Sequence, residues 1–498
     1  MDKIHTYINT FKQKITPIFI INLIGILFLY LIIINTQEYT SLTGHDFIYP
    51  WRNLHLRLPA QVFETVFNNF LPSIFNTHPA DMRTGFGLCN LILSFFALFI
   101  CLLLTKAFFL YEGKKMVFRK EFLIILPLAF LSVFNPISFE YQFILFFRMQ
   151  DLAVAGEYFF VLIPFFLSLI ILYRIIFRNY QPSKFGNILY LVIFFVLGCY
   201  NELTNLTFLF FLIIFLSSLF VTDKEKLKNK NLYKMLIAFF AGIIYFYLVS
   251  NQLSADLKTY NFDFKTLLKM LNINKFLHEF FIFMFAKKYL FFIVYTLLIT
   301  ITILLQKDKE TKLTVCYSAA IILGYLLSNL TTIFVMGMNN EEYVFEREFF
   351  NQLYWNNLTF AFLVCLGTLY KNIQSKKYII CFILIIIFSV IPCYTDKKKV
   401  VQRQQINQKI LLYNIDKINL VYSTLGEISI LPESYQNKHR SLDKTLVTDT
   451  FMKHQPQIIT NQYYLHGFYG LYFETVYKKV LKGVRFEPDE TAYQELES

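Results

Sequence analysis

Long apolar runs separated by polar stretches set the pattern of this chain from Ile18 onward. They fall at roughly 17–35, 86–110, 121–134, 158–177, 187–201, 204–221, 235–250, 288–305, 313–336, 353–370 and 378–394. A helix needs about 20 apolar residues to cross a bilayer, and shorter ones suffice inside a bundle. The pattern therefore predicts an α-helical polytopic membrane protein with about 11 transmembrane helices. The first run is too long for a signal peptide and is followed by Asn35, Thr36, Gln37 and Glu38, with no small-residue cleavage site. It reads as a retained anchor.

After the last run, residues 395–498 turn polar. INLVYS at 418–423 and ISILPES at 428–434 resemble two short strands, which predicts a small C-terminal α/β domain. The expected organisation is a transmembrane module over 1–394, with a long first outer loop at 36–85, and a soluble domain over 395–498.

Composition agrees with this class. Apolar residues make up 56% of the chain, and 59 Phe and 33 Tyr are among them. Of the net charge of +13, most sits in alternate short loops. Lys12 and Lys14, Lys114 to Lys120, Arg174 to Lys184, Lys224 to Lys234, Lys307 to Lys312 and Lys371 to Lys377 would share the cytoplasmic face. Lys397, Lys398 and Lys399 break the rule mildly. The N-terminus is then cytoplasmic and the C-terminal domain extracytoplasmic. Cations spread over loops in this way exclude a nucleic-acid groove.

The seven Cys fall within or at the ends of the runs with no metal-ligand spacing, so no metal site is read from them. The Asn-Leu-Thr triplets at Asn205, Asn329 and Asn357 lie in or beside runs, where glycosylation is not expected. Richness in Ile, Lys, Asn, Phe and Tyr hints at a bacterial genome, and hence at the bacterial cytoplasmic (inner) membrane.

Nearly every acidic residue between the runs is expected on the outer face, where charges near lipid tend to mark function. The first outer loop carries SLTGHDFIYPWRN from Ser41, with His45, Asp46 and Arg52 close together. A carboxylate there is placed to take a proton from a hydroxyl; the plainer reading is a solvated loop Asp. Val62, Phe63, Val66, Phe67, Phe70 and Ile74 then recur at helical spacing, as in an interfacial helix or one packed on the bundle. The second outer loop, about 135–157, holds Glu140 and Arg148, which pair with each other or line a cavity. Glu202 sits in the turn CYNELTNLT; capping by Asn201 or Thr204 is the ordinary reading of that turn. The fourth outer loop, about 251–287, predicts a second interfacial helix with Lys265, Lys269 and Lys275 towards lipid phosphates. In the fifth, Arg347 stands among Glu341, Glu342, Glu346 and Glu348. It either neutralises them or offers its planar fork to a phosphate. Trp51 and Trp355 fit an aromatic belt or a sugar platform.

This arrangement resembles the GT-C superfamily of integral-membrane glycosyltransferases. The GHD around Asp46, the NEL at Asn201 to Leu203 and the FEREFF stretch around Arg347 are similar to an uncharacterised bacterial branch of it. There an Asn-Glu pair is followed by Thr-Gly, whereas this chain has Leu203, Thr204 and Asn205. The resemblance implies a polyprenyl-phosphate sugar donor, a glycan or lipid acceptor outside the membrane, and Asp46 as general base. It further implies Arg347, with Arg52 or Arg148, on the departing polyprenyl phosphate. His45, Glu140 and Glu202 complete the expected substrate contacts. Some members use a divalent metal ion (Mg or Mn) and others none, and the carboxylates here permit either. The competing readings are a transporter or flippase of lipid-linked glycans, which usually shows internal repeats and charged spans, and a polymerase of such glycans.

Overall fold

Helix starts and stops follow the local chemistry of the chain. Ser183 accepts a hydrogen bond from the Gly186 amide at 3.1 Å and opens one helix. Asp308 accepts from both the Thr311 amide, at 3.0 Å, and the Thr311 hydroxyl, at 2.8 Å, and opens another. Asn179 closes a third in the left-handed conformation, at φ 46°, which Asn tolerates better than most residues.

The computed structural model describes residues 16–36, 85–111, 116–133, 160–200, 202–249, 308–336, 348–373, 428–430 and 486–488. The helices are α1 (Pro17–Thr36), α2 (Gly85–Phe108), α3 (Phe122–Val133), α4 (Leu162–Arg178), α5 (Lys184–Gly198) and α6 (Glu202–Thr222). They continue with α7 (Lys224–Leu227), α8 (Lys230–Val249), α9 (Lys309–Met336) and α10 (Glu348–Ile373), and a 3-10 turn covers Met116–Phe118. Every predicted run that falls among the described residues coincides with one of these helices. The largest shifts are at the starts of α8, at Lys230 rather than 235, and of α10, at Glu348 rather than 353. The runs at 288–305 and 378–394 lie outside the described residues, as do the two proposed interfacial helices.

α6 packs along α9, α9 along α10, α10 along α2, and α5 along α8, with α4 between these groups. The centre is aromatic. Tyr317 of α9 meets the rings of Tyr173 and Phe177 on α4 and of Phe211 and Phe215 on α6, at centroid separations from 5.0 to 5.9 Å. Its hydroxyl donates to the Leu169 carbonyl at 2.6 Å, so a fully buried phenol is satisfied by α4 backbone.

Within this apolar core some polar side chains are buried, and some large apolar ones face outward. Asn22, Ser94, Ser168, Thr207, Ser328, Asn356 and Asn357 are buried. Large apolar side chains face outward along α1 (Ile24, Leu27, Phe28), α5 (Phe185, Ile188) and α8 (Ile237, Leu248). The outward-facing apolar side chains are compatible with lipid around the helices. On length and composition, the stretches Leu203–Thr222 and Lys309–Ser328 suffice to cross a membrane. Shorter apolar helices accompany them at Pro17–Leu31, Ser94–Phe108, Lys184–Gly198 and Asn356–Tyr370.

In the C-terminal region, β1 (Ile428–Ile430) pairs in parallel with β2 (Phe486–Pro488), with Ser429 opposite Glu487. The first strand lies inside the predicted 428–434. Its partner was not foreseen, and the other predicted strand, 418–423, lies outside the described residues.

Candidate functional site

Side-chain contacts define one end of the bundle. Arg178, at the end of α4, pairs with Glu310, at the start of α9, at 3.2 Å and donates to the Tyr111 carbonyl just beyond α2. Lys309 pairs with Asp223, after α6, at 3.3 Å. Tyr370, near the end of α10, donates to Glu121, before α3, at 2.8 Å, and Arg119 stands 3.4 Å from the same carboxylate. Asn22, low on α1, donates to the carbonyls of Val117 and Arg119 at 2.6 and 2.8 Å. Asn229, before α8, donates to the Ile175 carbonyl at 3.4 Å.

These contacts gather the loops whose basic residues were expected on one face. They also correct the expected charge segregation. Glu121, Asp223, Glu225, Asp308 and Glu310 all lie at this basic end, so the acidic residues are not confined to the other face. Each of them has local work here: Glu121, Asp223, Glu225 and Glu310 face cations, and Asp308 caps a helix. Lys226 stacks over the Phe177 ring at 4.8 Å, and partial burial pushes its ammonium below the ordinary value. Asp223 and Glu310 oppose that shift, while Lys309 and Arg178 add to it.

With one end fixed, the direction of each helix fixes the other. Thr36, Gly85, Val133, Leu162, Glu202, Val249, Met336 and Glu348 are the helix ends away from the Arg178–Glu310 pair. His45, Asp46 and Arg52 fall between Thr36 and Gly85, Glu140 and Arg148 between Val133 and Leu162, and Arg347 between Met336 and Glu348. All six lie outside the described residues. Glu202 is described through its backbone alone, as the first residue of α6.

Asn201, expected with Thr204 as a possible cap of the turn into α6, lies outside the described residues. Asn205 donates to the Gly198 carbonyl at 2.8 Å, so it closes the end of α5 from the first turn of α6. Below it, Thr207 and Ser328 share a 2.7 Å hydrogen bond that ties α6 to α9. Asn357 of α10 is 1% exposed, and neither atom of its side-chain amide has a partner. This polar belt was not foreseen as such; its only signal was the Asn-Leu-Thr triplets. Burial of Asn205 and Asn357 removes both from any surface where such a triplet would be glycosylated.

Among the described residues no group of three or more His, Cys, Asp or Glu side chains converges as a metal site. Cys101, Cys199, Cys316 and Cys365 are unpaired thiols. No family model, curated protein or solved structure matches the chain.

Proposed function

We propose that this chain is a membrane glycosyltransferase that moves a sugar from a polyprenyl-phosphate donor to a glycan or lipid acceptor on the extracytoplasmic side of a bacterial cytoplasmic membrane. One observation carries the reading. The segments that hold His45, Asp46, Arg52, Glu140, Arg148 and Arg347 all join the bundle at the end away from the Arg178–Glu310 pair, and Glu202 opens α6 at that same end. In this reading one face carries a carboxylate base, further acids and three arginines. That is the set required to activate a hydroxyl and receive a phosphate leaving group.

In the proposed step Asp46 takes the proton of the acceptor hydroxyl as its oxygen attacks the anomeric carbon. The bond from that carbon to the phosphate oxygen breaks, and polyprenyl phosphate leaves with the electron pair. Arg347, with Arg52 or Arg148, stabilises the charge that develops on the phosphate, a task suited to a planar fork of donors. His45, Glu140 and Glu202 contact the sugar and the acceptor. Donor and product both carry long lipid chains, which places the chemistry at the membrane surface.

Membranes carrying the intact chain or Asp46→Asn, offered a panel of polyprenyl-phosphate-linked sugars, provide the test. Loss of a general base costs about 100- to 10,000-fold in rate, so transfer should fall by that order while expression and insertion stay unchanged. Asp81→Asn, in the same loop, should cost far less. Near-normal transfer by Asp46→Asn would remove Asp46 from the role. An unchanged glycan product in cells after each of Asp46, Glu140 and Glu202 is neutralised in turn, with no transfer by the intact chain in the membrane assay, would favour a transporter of lipid-linked glycans instead.

A further inference from the structure

The corner between α6 and α8 combines two features that the glycosyl-transfer reading leaves unused. Val221 is 83% exposed and Phe220 57% at the end of α6, and Tyr233 is 52% exposed in the first turn of α8, with only the short α7 between them. Lys224, Lys228, Lys230 and Lys234 lie along the same stretch of chain and are all exposed. The carboxylates of this corner are already engaged: Asp223 with Lys309 at 3.3 Å and Glu225 with Lys228 at 2.7 Å. Lys226 is turned inward over Phe177. Positive charge on Lys224, Lys230 and Lys234 therefore remains beside exposed aromatic and aliphatic surface. Lys224 also lies 4.4 Å over the Phe220 ring, which holds its ammonium beside that exposed ring.

We infer that this corner is a binding site for an anionic phospholipid, with the headgroup phosphate on Lys224, Lys230 and Lys234 and the upper acyl chain against Phe220, Val221 and Tyr233. The two halves match the two halves of a lipid at the depth where a spanning helix leaves the hydrocarbon. Aromatic rings and long cationic side chains favour that depth. A water-facing acidic partner would account for the lysines but would leave Val221 and Phe220 exposed. The inference rests on the helices standing in a bilayer and is independent of glycosyl transfer.

The test uses the full chain in nanodiscs of phosphatidylcholine with increasing phosphatidylglycerol, compared with Lys224→Gln/Lys230→Gln/Lys234→Gln. Native mass spectrometry counts retained phosphatidylglycerol. A cation near an anionic surface contributes about fivefold in binding, so the triple variant should lose on the order of a hundredfold in apparent affinity. Lys→Arg at the same three positions should retain most of it. Added salt should weaken retention by the intact chain. Equal retention of the two lipids by the intact chain, or full retention by the triple Gln variant, would overturn the site and leave the corner to an acidic protein partner. Failure of the chain to enter nanodiscs at all would instead overturn the membrane reading.

Discussion

Asn22 shows how far single residues could be read from the sequence. It is a polar residue inside a long apolar run, and nothing in its neighbourhood names a partner. That partner is backbone some 95 residues away, the carbonyls of Val117 and Arg119, which α1 meets because Phe19 stacks on Phe118 at 4.9 Å. The side chain is fully buried, so its removal takes this donor from the Val117 carbonyl, while the Arg119 carbonyl keeps the Phe122 amide at 3.2 Å. Asn22→Leu should therefore lower stability by about 1–3 kcal/mol, read as a lower Tm of the detergent-solubilised protein. An unchanged Tm would mean that water reaches the 3-10 turn. The proposed catalytic residues were legible in a different way. Asp46 and Arg347 stand out as residue types at given places in the alternation of loops, a reading that needs no knowledge of packing. Asn205 was legible only in the negative, as a triplet not expected to be glycosylated; its tie between α5 and α6 was not foreseen.

At the scale of elements, apolar runs located the helices well because each described helix except the short α7 is built on an uninterrupted apolar stretch. The choice of neighbour was not legible. α5 and α8 approach at Gly198 and Gly242: a Cβ on Gly198 would strike the Phe239 carbonyl, and one on Gly242 the Phe195 carbonyl. A small residue in an apolar run permits such an approach without naming the partner, which is how packing works where the hydrophobic effect does not drive association. Gly242→Ala forces the two backbones apart and should cost about 1–3 kcal/mol. Ala241→Leu, at the exposed neighbouring position, should cost little. Thermal unfolding of the two variants side by side checks this; equal Tm values would show that α5 and α8 separate freely. The short parallel pairing of β1 with β2 was half legible for a related reason. The ISI of β1 has strand character, whereas the FEP of β2 holds a proline that argues against a strand.

For the whole molecule, the arrangement of helix ends constrains the chain between them. α8 leaves the bundle at Val249, on the far end, and α9 starts at Lys309, whose ammonium pairs with Asp223 at the basic end. The chain between them must therefore travel the length of the bundle, about 30 Å for a helix of some 20 residues. The run at 288–305 is the stretch in that interval with the composition to do so in lipid. The same reasoning applies after α10, which ends at the basic end beside Glu121. If the run at 378–394 crosses once more, everything after it lies with the segments of Asp46 and Arg347. Reporter fusions after Lys115, Lys228 and Lys376 should accordingly read as cytoplasmic, and fusions after Asn69, Asn340 and Ser434 as external. The fusion at Ser434 is the discriminating one, because it depends on both runs outside the described residues. A cytoplasmic signal there, with Asn340 still external, would remove the last crossing and put the β1–β2 region opposite the proposed chemistry. External signals at both sites would put 395–498 on the face proposed for donor and acceptor.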